Sequence, residues 1–504
     1  IQTSHASTLS KGNITLNADI TKTSGSDASL TLKADGNITV NKNITVSHNS
    51  GKLDVNLLAA NTTNGSAVTI KTGANITTNG GNITIASANN SNVIRINVTG
   101  GNTTLNAGAG NVSLSGQDVL LNIASINAGN INLNGTGNIT VLNSTLNTTS
   151  KGNISLLAAG GNTAMIKVEN SNLSSNGGRI TLDRMTDGEN NAMTVKVVNS
   201  TLNASSSSDR GNITIKAYNP NINLSKSEWN TTVRNAGSLL EINNSTLSGK
   251  NLTLEGNQIG ENSRNLPVYL NNATLTTEGG NITLTGRSSN GSNAAQLELR
   301  ATNTLTANNG SIIINHDKSD GASNTSALLL NGNNTLNATN GNISLMGNWT
   351  RFIYNELDDH AVVKINGNAN LISTGGINIS GTGSQTGVAF GNVSVVLKGN
   401  TSITGTGASG VVFAGIVNIN ATGYNVSING NATSNTDLYI KRAGVLFQQR
   451  YWSGGNIHIT AKTINVNGSS NTNASGVEGI IYSYNGNQYT NETFISSKFS
   501  FIGT

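Results

Sequence analysis

Apolar and polar residues alternate along this chain in short runs. Ile14-Thr15-Leu16, Ile38-Thr39-Val40, Ile83-Thr84-Ile85, Ile139-Thr140-Val141, Ile154-Ser155-Leu156 and Ile213-Thr214-Ile215 each place a hydroxyl residue between two apolar ones. A period of two marks a half-buried β-strand, with the apolar pair on one face and the polar residue on the other. Gly-Asn precedes each triplet, at Gly12-Asn13, Gly36-Asn37, Gly81-Asn82, Gly137-Asn138, Gly152-Asn153 and Gly211-Asn212. It returns at Gly280-Asn281, Gly341-Asn342 and Gly455-Asn456. Glycine reaches positive φ without strain and asparagine tolerates it better than most residues, so the pair predicts a corner before each strand. A second pattern lies between these copies: Asn143-Ser144-Thr145-Leu146, Asn199-Ser200-Thr201-Leu202 and Asn244-Ser245-Thr246-Leu247.

A strand this short cannot bury its apolar face alone. Stacking copies about 4.8 Å apart pairs each strand with those above and below it and closes a narrow apolar column. The pattern therefore predicts an all-β protein, a parallel β-helix, right-handed as is the default for such solenoids. At about 22 residues per coil, residues 1–504 form a single continuous β-helix of about 20–23 coils. Ile139, Val141, Ile154, Leu156, Ile213 and Ile215 should point inward, and Asn138, Thr140, Asn153 and Ser155 outward. The repeat lapses at 183–192, 226–236, 258–268, 347–362 and 437–454. The last two stretches, rich in large side chains, read as irregular loop insertions, and insertions in solenoids often carry binding.

Composition narrows the chemistry. The chain has no Cys and two Pro, so disulfide scaffolds, thiol nucleophiles and collagen-like rods are excluded. Charged residues are 11% and the formal net charge is +5, with no basic run or basic–aromatic module, so nucleic acid is not an expected partner. No apolar run is long enough to span a membrane as a helix. Glu356, Asp358 and Asp359 beside His360 form the best acidic cluster. Paired carboxylates on a β-helix could cleave a polysaccharide, but a solvated loop explains the cluster as well. His5, His48, His316, His360 and His458 lack metal-ligand spacing, so neither a metal nor a cofactor is expected.

Two kinds of candidate site follow from the residues. Asn-x-Ser/Thr sequons recur because the repeat itself spells Asn-Ile-Thr. Asn13, Asn37, Asn82, Asn138 and Asn281 are candidate glycosylation acceptors, each facing outward with the hydroxyl two residues on. Cations and aromatics, sparse elsewhere, gather in the two insertions: Trp349, Arg351 and Tyr354 in one, Lys441, Arg442, Arg450, Tyr451 and Trp452 in the other. A guanidinium fork can hold a sugar carboxylate, and an aromatic ring can cover the apolar side of the sugar.

The Gly-Asn-Ile-Thr-Leu units, the Asn-Ser-Thr-Leu rungs, the missing Cys, the near absence of Pro and the load of sequons make the whole chain resemble the bacterial high-molecular-weight adhesins. These belong to the filamentous-haemagglutinin-like, two-partner-secretion class. The resemblance implies a non-enzymatic surface protein that attaches bacteria to host epithelium through sialylated glycoproteins. It also implies an outer-membrane secretion partner and a cytoplasmic glycosyltransferase that loads asparagines with hexose. Neither the family's secretion module nor its carboxy-terminal anchor is read in the sequence, so the chain is expected to be an internal, monomeric receptor-binding fragment. The alternatives are a polysaccharide-cleaving enzyme and a structural stalk or biofilm rod without a specific receptor.

Overall fold

The computed structural model describes residues 1–3, 12–47, 50–59, 66–89, 94–159, 164–185, 193–219, 238–258, 266–288, 296–318, 326–349, 361–384, 386–433, 442–448, 456–471, 474–485, 488–493 and 499–503. Every regular element among them is a β-strand, and nearly all strand pairings are parallel. The protein is a parallel β-helix. It divides into two compact units, residues 1–219 with 242–252, and residues 220–241 with 253–504.

In the first unit each coil has three strand-forming sides, continuous across the first corner in Arg95–Asn106 and Asp118–Ala128, and each side pairs with its counterpart on the next coil. One rung runs Ile14, Ile38, Val68, Ile96, Val119, Ile139, Ile166, Val195. A second runs from Ile44 through Ile76, Leu105, Ile126, Leu146 and Leu173 to Leu202 and Leu247. The third runs Val55, Ile83, Val112, Ile131, Ile154, Ile180, Ile213. Nearly all of these side chains are fully buried, including the six residues expected inside, while Asn138 and Asn153 are exposed and Thr140 and Ser155 half-buried.

The coils are larger than the sequence suggested. Ile14 and Val195 lie seven steps apart on one rung, 181 residues or about 26 per coil. In the second unit Val268 and Val477 are also seven steps apart, 209 residues or about 30 per coil. Coils are accordingly fewer than 20–23. The error has a physical cause: the Gly-Asn-Ile motif occurs on two faces. Gly36 and Gly137 precede the first strand of a coil, whereas Gly81, Gly152 and Gly211 precede the third. Spacings between copies thus mix partial turns with whole ones.

The glycine before the third strand also plays a different part from the one expected. Gly81, Gly110, Gly152, Gly178 and Gly211 stack in a column, and positive φ is not what they supply. A Cβ on Gly152 would overlap the carbonyl oxygen of Gly129, and one on Gly211 that of Gly178. The column needs glycine because backbones of adjacent coils approach too closely for a side chain. Next to it, buried hydroxyls seal the turn: Ser175 Oγ donates to Gly178 O at 2.7 Å.

Positive φ is carried instead by the asparagine of the second motif. Asn143, Asn170, Asn199 and Asn244 all have φ of 47–48°. The left-handed residue resets the alternation, so the serine that follows turns inward and the threonine outward. Ser171 Oγ accepts from Ser144 N at 3.0 Å and donates to Glu169 O at 2.7 Å. Ser200 and Ser245 repeat this arrangement one coil at a time. These buried hydroxyls form a ladder that satisfies the amide each corner would otherwise strand.

In the second unit the strands run through the corners. Leu297–Asn308, Leu328–Thr339 and Ala361–Ser373 each cover two sides of a coil, and Val411–Ala432 covers three. The first three bend at Ala301, Gly332 and Gly367, and Val411–Ala432 at Gly415 and Gly423, all at positive φ. The stretch 437–454 is not irregular throughout: the strand Ala443–Gln448 sits in register with Val411–Ala414. Its Phe447 stacks on Phe413, which stacks on Phe390, with ring centroids 5.1 Å apart at both contacts.

Candidate functional site

The outer faces carry rows of asparagine whose role is set by the stack. Asn37 N donates to Asn13 Oδ1 at 2.8 Å, and Asn37 Oδ1 in turn accepts from Ala67 N at 2.8 Å. Asn82 accepts from Asn111 N, Asn138 from Met165 N and Asn281 from Ser311 N. Aspartate does the same work elsewhere: Asp54 Oδ1 accepts from Asn82 N, and Asp118 Oδ1 from Asn138 N. All five sequon asparagines thus use Oδ1 to hold the next coil. Asn13, Asn82, Asn138 and Asn281 are exposed and Asn37 is half-buried.

The two clusters nominated for glycan binding fare unevenly. Arg351, Tyr354, Lys441, Arg450, Tyr451 and Trp452 lie outside the described residues, as do Glu356, Asp358, Asp359 and His360. Arg442 is half-buried at the entrance to the strand Ala443–Gln448. Trp349 is fully buried, packed in an apolar cluster with Ala327 and Val362. That is a correction. Trp349 ends the strand Asn342–Trp349, where the alternation turns its indole into the core, so it has no ring face to offer a sugar.

Two polar clusters escaped sequence reasoning. Glu298 is fully buried in the strand Leu297–Asn308, and its carboxylate accepts from Arg300 Nε at 2.8 Å, Arg300 Nη2 at 3.2 Å and Gln296 Nε2 at 3.0 Å. The bond to Glu298 pushes Arg300 further above its already high range. Arg300 also lies 5.6 Å from the centre of the Tyr269 ring, and burial raises the Tyr269 hydroxyl above its ordinary range. A buried carboxylate needs such partners, and this one is fully engaged. His316, also buried, has Nε2 3.3 Å from Ser288 Oγ. Neither cluster lines the groove described next.

An open groove of about 560 Å³ does exist in the second unit. It crosses the outer side of the third strands of successive coils. Its walls are Asn342, Ser344, Asn378, Asn400, Ser402, Asn425, Ser427 and Asn465, over a floor that includes Gly376, Ile377, Thr401 and Val426. The lining holds carboxamides and hydroxyls and no charged side chain. No single feature of the sequence announces it, because each lining residue is an ordinary member of the repeat. Among the described residues no group of three or more His, Asp or Glu could hold a metal ion. No protein-family model matches the chain, and comparison with curated proteins finds no relative.

Proposed function

We propose that this chain is the receptor-binding part of a bacterial surface adhesin that holds host-cell glycans without cleaving them. One observation carries the reading: the groove is solvent-facing and presents carboxamides and hydroxyls over an apolar floor, and those polar groups exchange hydrogen bonds with sugar hydroxyls. A β-helix suits the role because each coil repeats the array at a fixed spacing. Of the residues nominated for sialylated receptors, Arg442 is the half-exposed one among those described, and it remains the candidate contact for an acidic sugar. Export by an outer-membrane partner and hexose loading on Asn13, Asn37, Asn82, Asn138 and Asn281 belong to the same proposal. Oδ1 of each is bound to the next coil, and sugar on Nδ2 leaves that bond in place.

The test is attachment of the isolated chain to epithelial cells, together with a glycan array and an assay for new reducing ends. Saturable binding with intact glycans is expected. Cleaved polysaccharide would establish the enzyme reading, and an absence of any glycan or cell binding would leave a structural rod.

A further inference from the structure

We infer that the groove on the third strands of the second unit is a binding site for an uncharged oligosaccharide of about four pyranose rings, aligned along the stack of coils. The inference rests on the glycan-binding reading above and deepens it by naming the site and the ligand class.

Register defines the site. One outward row reads Ser344, Asn378, Ser402, Ser427, Asn465, each residue paired with the next across adjacent coils. Beside it lies a row that opens the strands, with Asn342 paired to Gly376 and Asn425 paired to Thr463. Gly376, at φ +135°, interrupts that row. Where its neighbours raise a carboxamide it raises nothing, and the missing side chain makes the notch from which the groove extends. A Cβ there would meet only Asn400 O, at 3.5 Å.

The stack already uses one side of two lining carboxamides. Asn400 Oδ1 accepts from Asn425 N at 3.1 Å, and Asn425 Oδ1 accepts from Thr463 Oγ1 at 2.7 Å. These bonds engage Oδ1 of both residues and leave Nδ2 as the donor each can offer a ligand. Ser344, Asn378 and Ser402 make no side-chain hydrogen bond to any described residue, so their donors and acceptors are open to a ligand. Hydroxyl-rich ligands need such mixed, preoriented pairs, since each sugar hydroxyl both donates and accepts.

Spacing supplies the second argument. Adjacent coils are about 4.8 Å apart, so five rungs extend over about 19 Å. One coil therefore corresponds to about one ring of an extended pyranose chain, and successive Ser/Asn rungs can meet successive sugars. Electrostatics supplies the third. A lining without Lys, Arg, Asp or Glu gives no reward to a carboxylate sugar and little dependence on ionic strength.

The experiment is calorimetric titration of the whole chain with lacto-N-neotetraose, a neutral tetrasaccharide, and with its sialylated counterpart, at low and high salt. Saturation-transfer NMR provides a second readout. The wild type should bind both sugars with affinities that agree within about twofold and change little with salt. Ser344→Ala with Asn378→Ala and Ser402→Ala should weaken binding at least tenfold, with an unchanged circular dichroism spectrum and melting temperature. Asn378→Trp, which fills the groove, should do the same without removing any internal bond. Wild-type affinity in both variants would overturn the groove site and leave glycan binding elsewhere on the chain. Binding restricted to the sialylated sugar and abolished by salt would also overturn it, pointing back to Arg442 and its neighbours in sequence. If neither sugar binds and a broader array finds no glycan ligand, the groove and the adhesin reading fall together.

Discussion

The two units stack the same apolar column around different corners. In the first, from Asn143 onward, short strands meet at a left-handed asparagine, and the serine that follows builds a buried ladder from Ser144 through Ser171 and Ser200 to Ser245, whereas Arg95–Asn106 and Asp118–Ala128 already run through the corner. In the second, after a left-handed asparagine between two strands at Asn272, strands bend at Ala301, Gly332 and Gly367 without ending, and the inward polar position passes to asparagine. Asn303 Nδ2 donates to Asn334 Oδ1 at 2.9 Å, and Asn303 Oδ1 accepts from Ala273 N at 3.0 Å. The second unit adds the Phe390–Phe413–Phe447 stack, which has no counterpart among the described residues of the first. Either acceptor can serve either corner: Ala124 N, inside the continuous strand Asp118–Ala128, donates to Ser144 Oγ, and Ala273 N, just after the left-handed Asn272, donates to Asn303 Oδ1. Corner chemistry is therefore interchangeable so long as each inward amide is met, whereas the apolar column is not.

Substitutions can break this contrast, beginning with the largest effect. Phe413→Ala removes the middle ring of the stack and should cost about 3–5 kcal/mol, seen as accelerated hydrogen exchange in the strands of the second unit. Gly152→Ala tests the glycine column of the first unit. With a Cβ forced against Gly129 O it should cost about 3 kcal/mol. An equal effect from Gly101→Ala, whose Cβ meets nothing within 4 Å and whose φ is not left-handed, would mean that close approach does not set the column. Ser171→Ala should cost about 1–3 kcal/mol in chemical denaturation, because it leaves the Ser144 amide buried without an acceptor.

The smallest expected effect is a gain. Ile123 occupies the corner position taken by Asn143 on the next coil, at φ +56° and 48% exposed. A β-branched residue is strained there, so Ile123→Asn should stabilise the first unit by about 1 kcal/mol, measured by the shift of its denaturation midpoint.

Much of this architecture was legible in the sequence because alternation is a direct record of which face is dry. Ile139, Val141, Ile154, Leu156, Ile213 and Ile215 lie where the period placed them. What alternation cannot show is where it is reset. Ser144 follows Asn143 inward only because the asparagine is left-handed, and the same Gly-Asn-Ile letters serve two faces of the coil. Trp349 was assigned to the surface because large side chains cluster near it, but it is the last residue of a regular strand and falls on the core side. The groove was less legible still. It depends on Gly376 standing opposite Asn342 across two coils, a relation visible only once register is known.

Register is thus the central claim, and a chain without cysteine lets it be measured cleanly. Thr21 and Thr45 occupy the same outward position on adjacent coils, their Oγ1 atoms 3.2 Å apart. Parallel neighbours at about 4.8 Å fall within the Cα range that a disulfide can bridge. The Thr21→Cys, Thr45→Cys double variant should oxidise rapidly to an intramolecular disulfide, read by mass spectrometry, while Thr21→Cys with Val46→Cys should remain reduced under the same conditions. Faster bridging to position 46 than to 45, or no bridging at either, would contradict the stacking on which the fold, the outward rows and the groove depend.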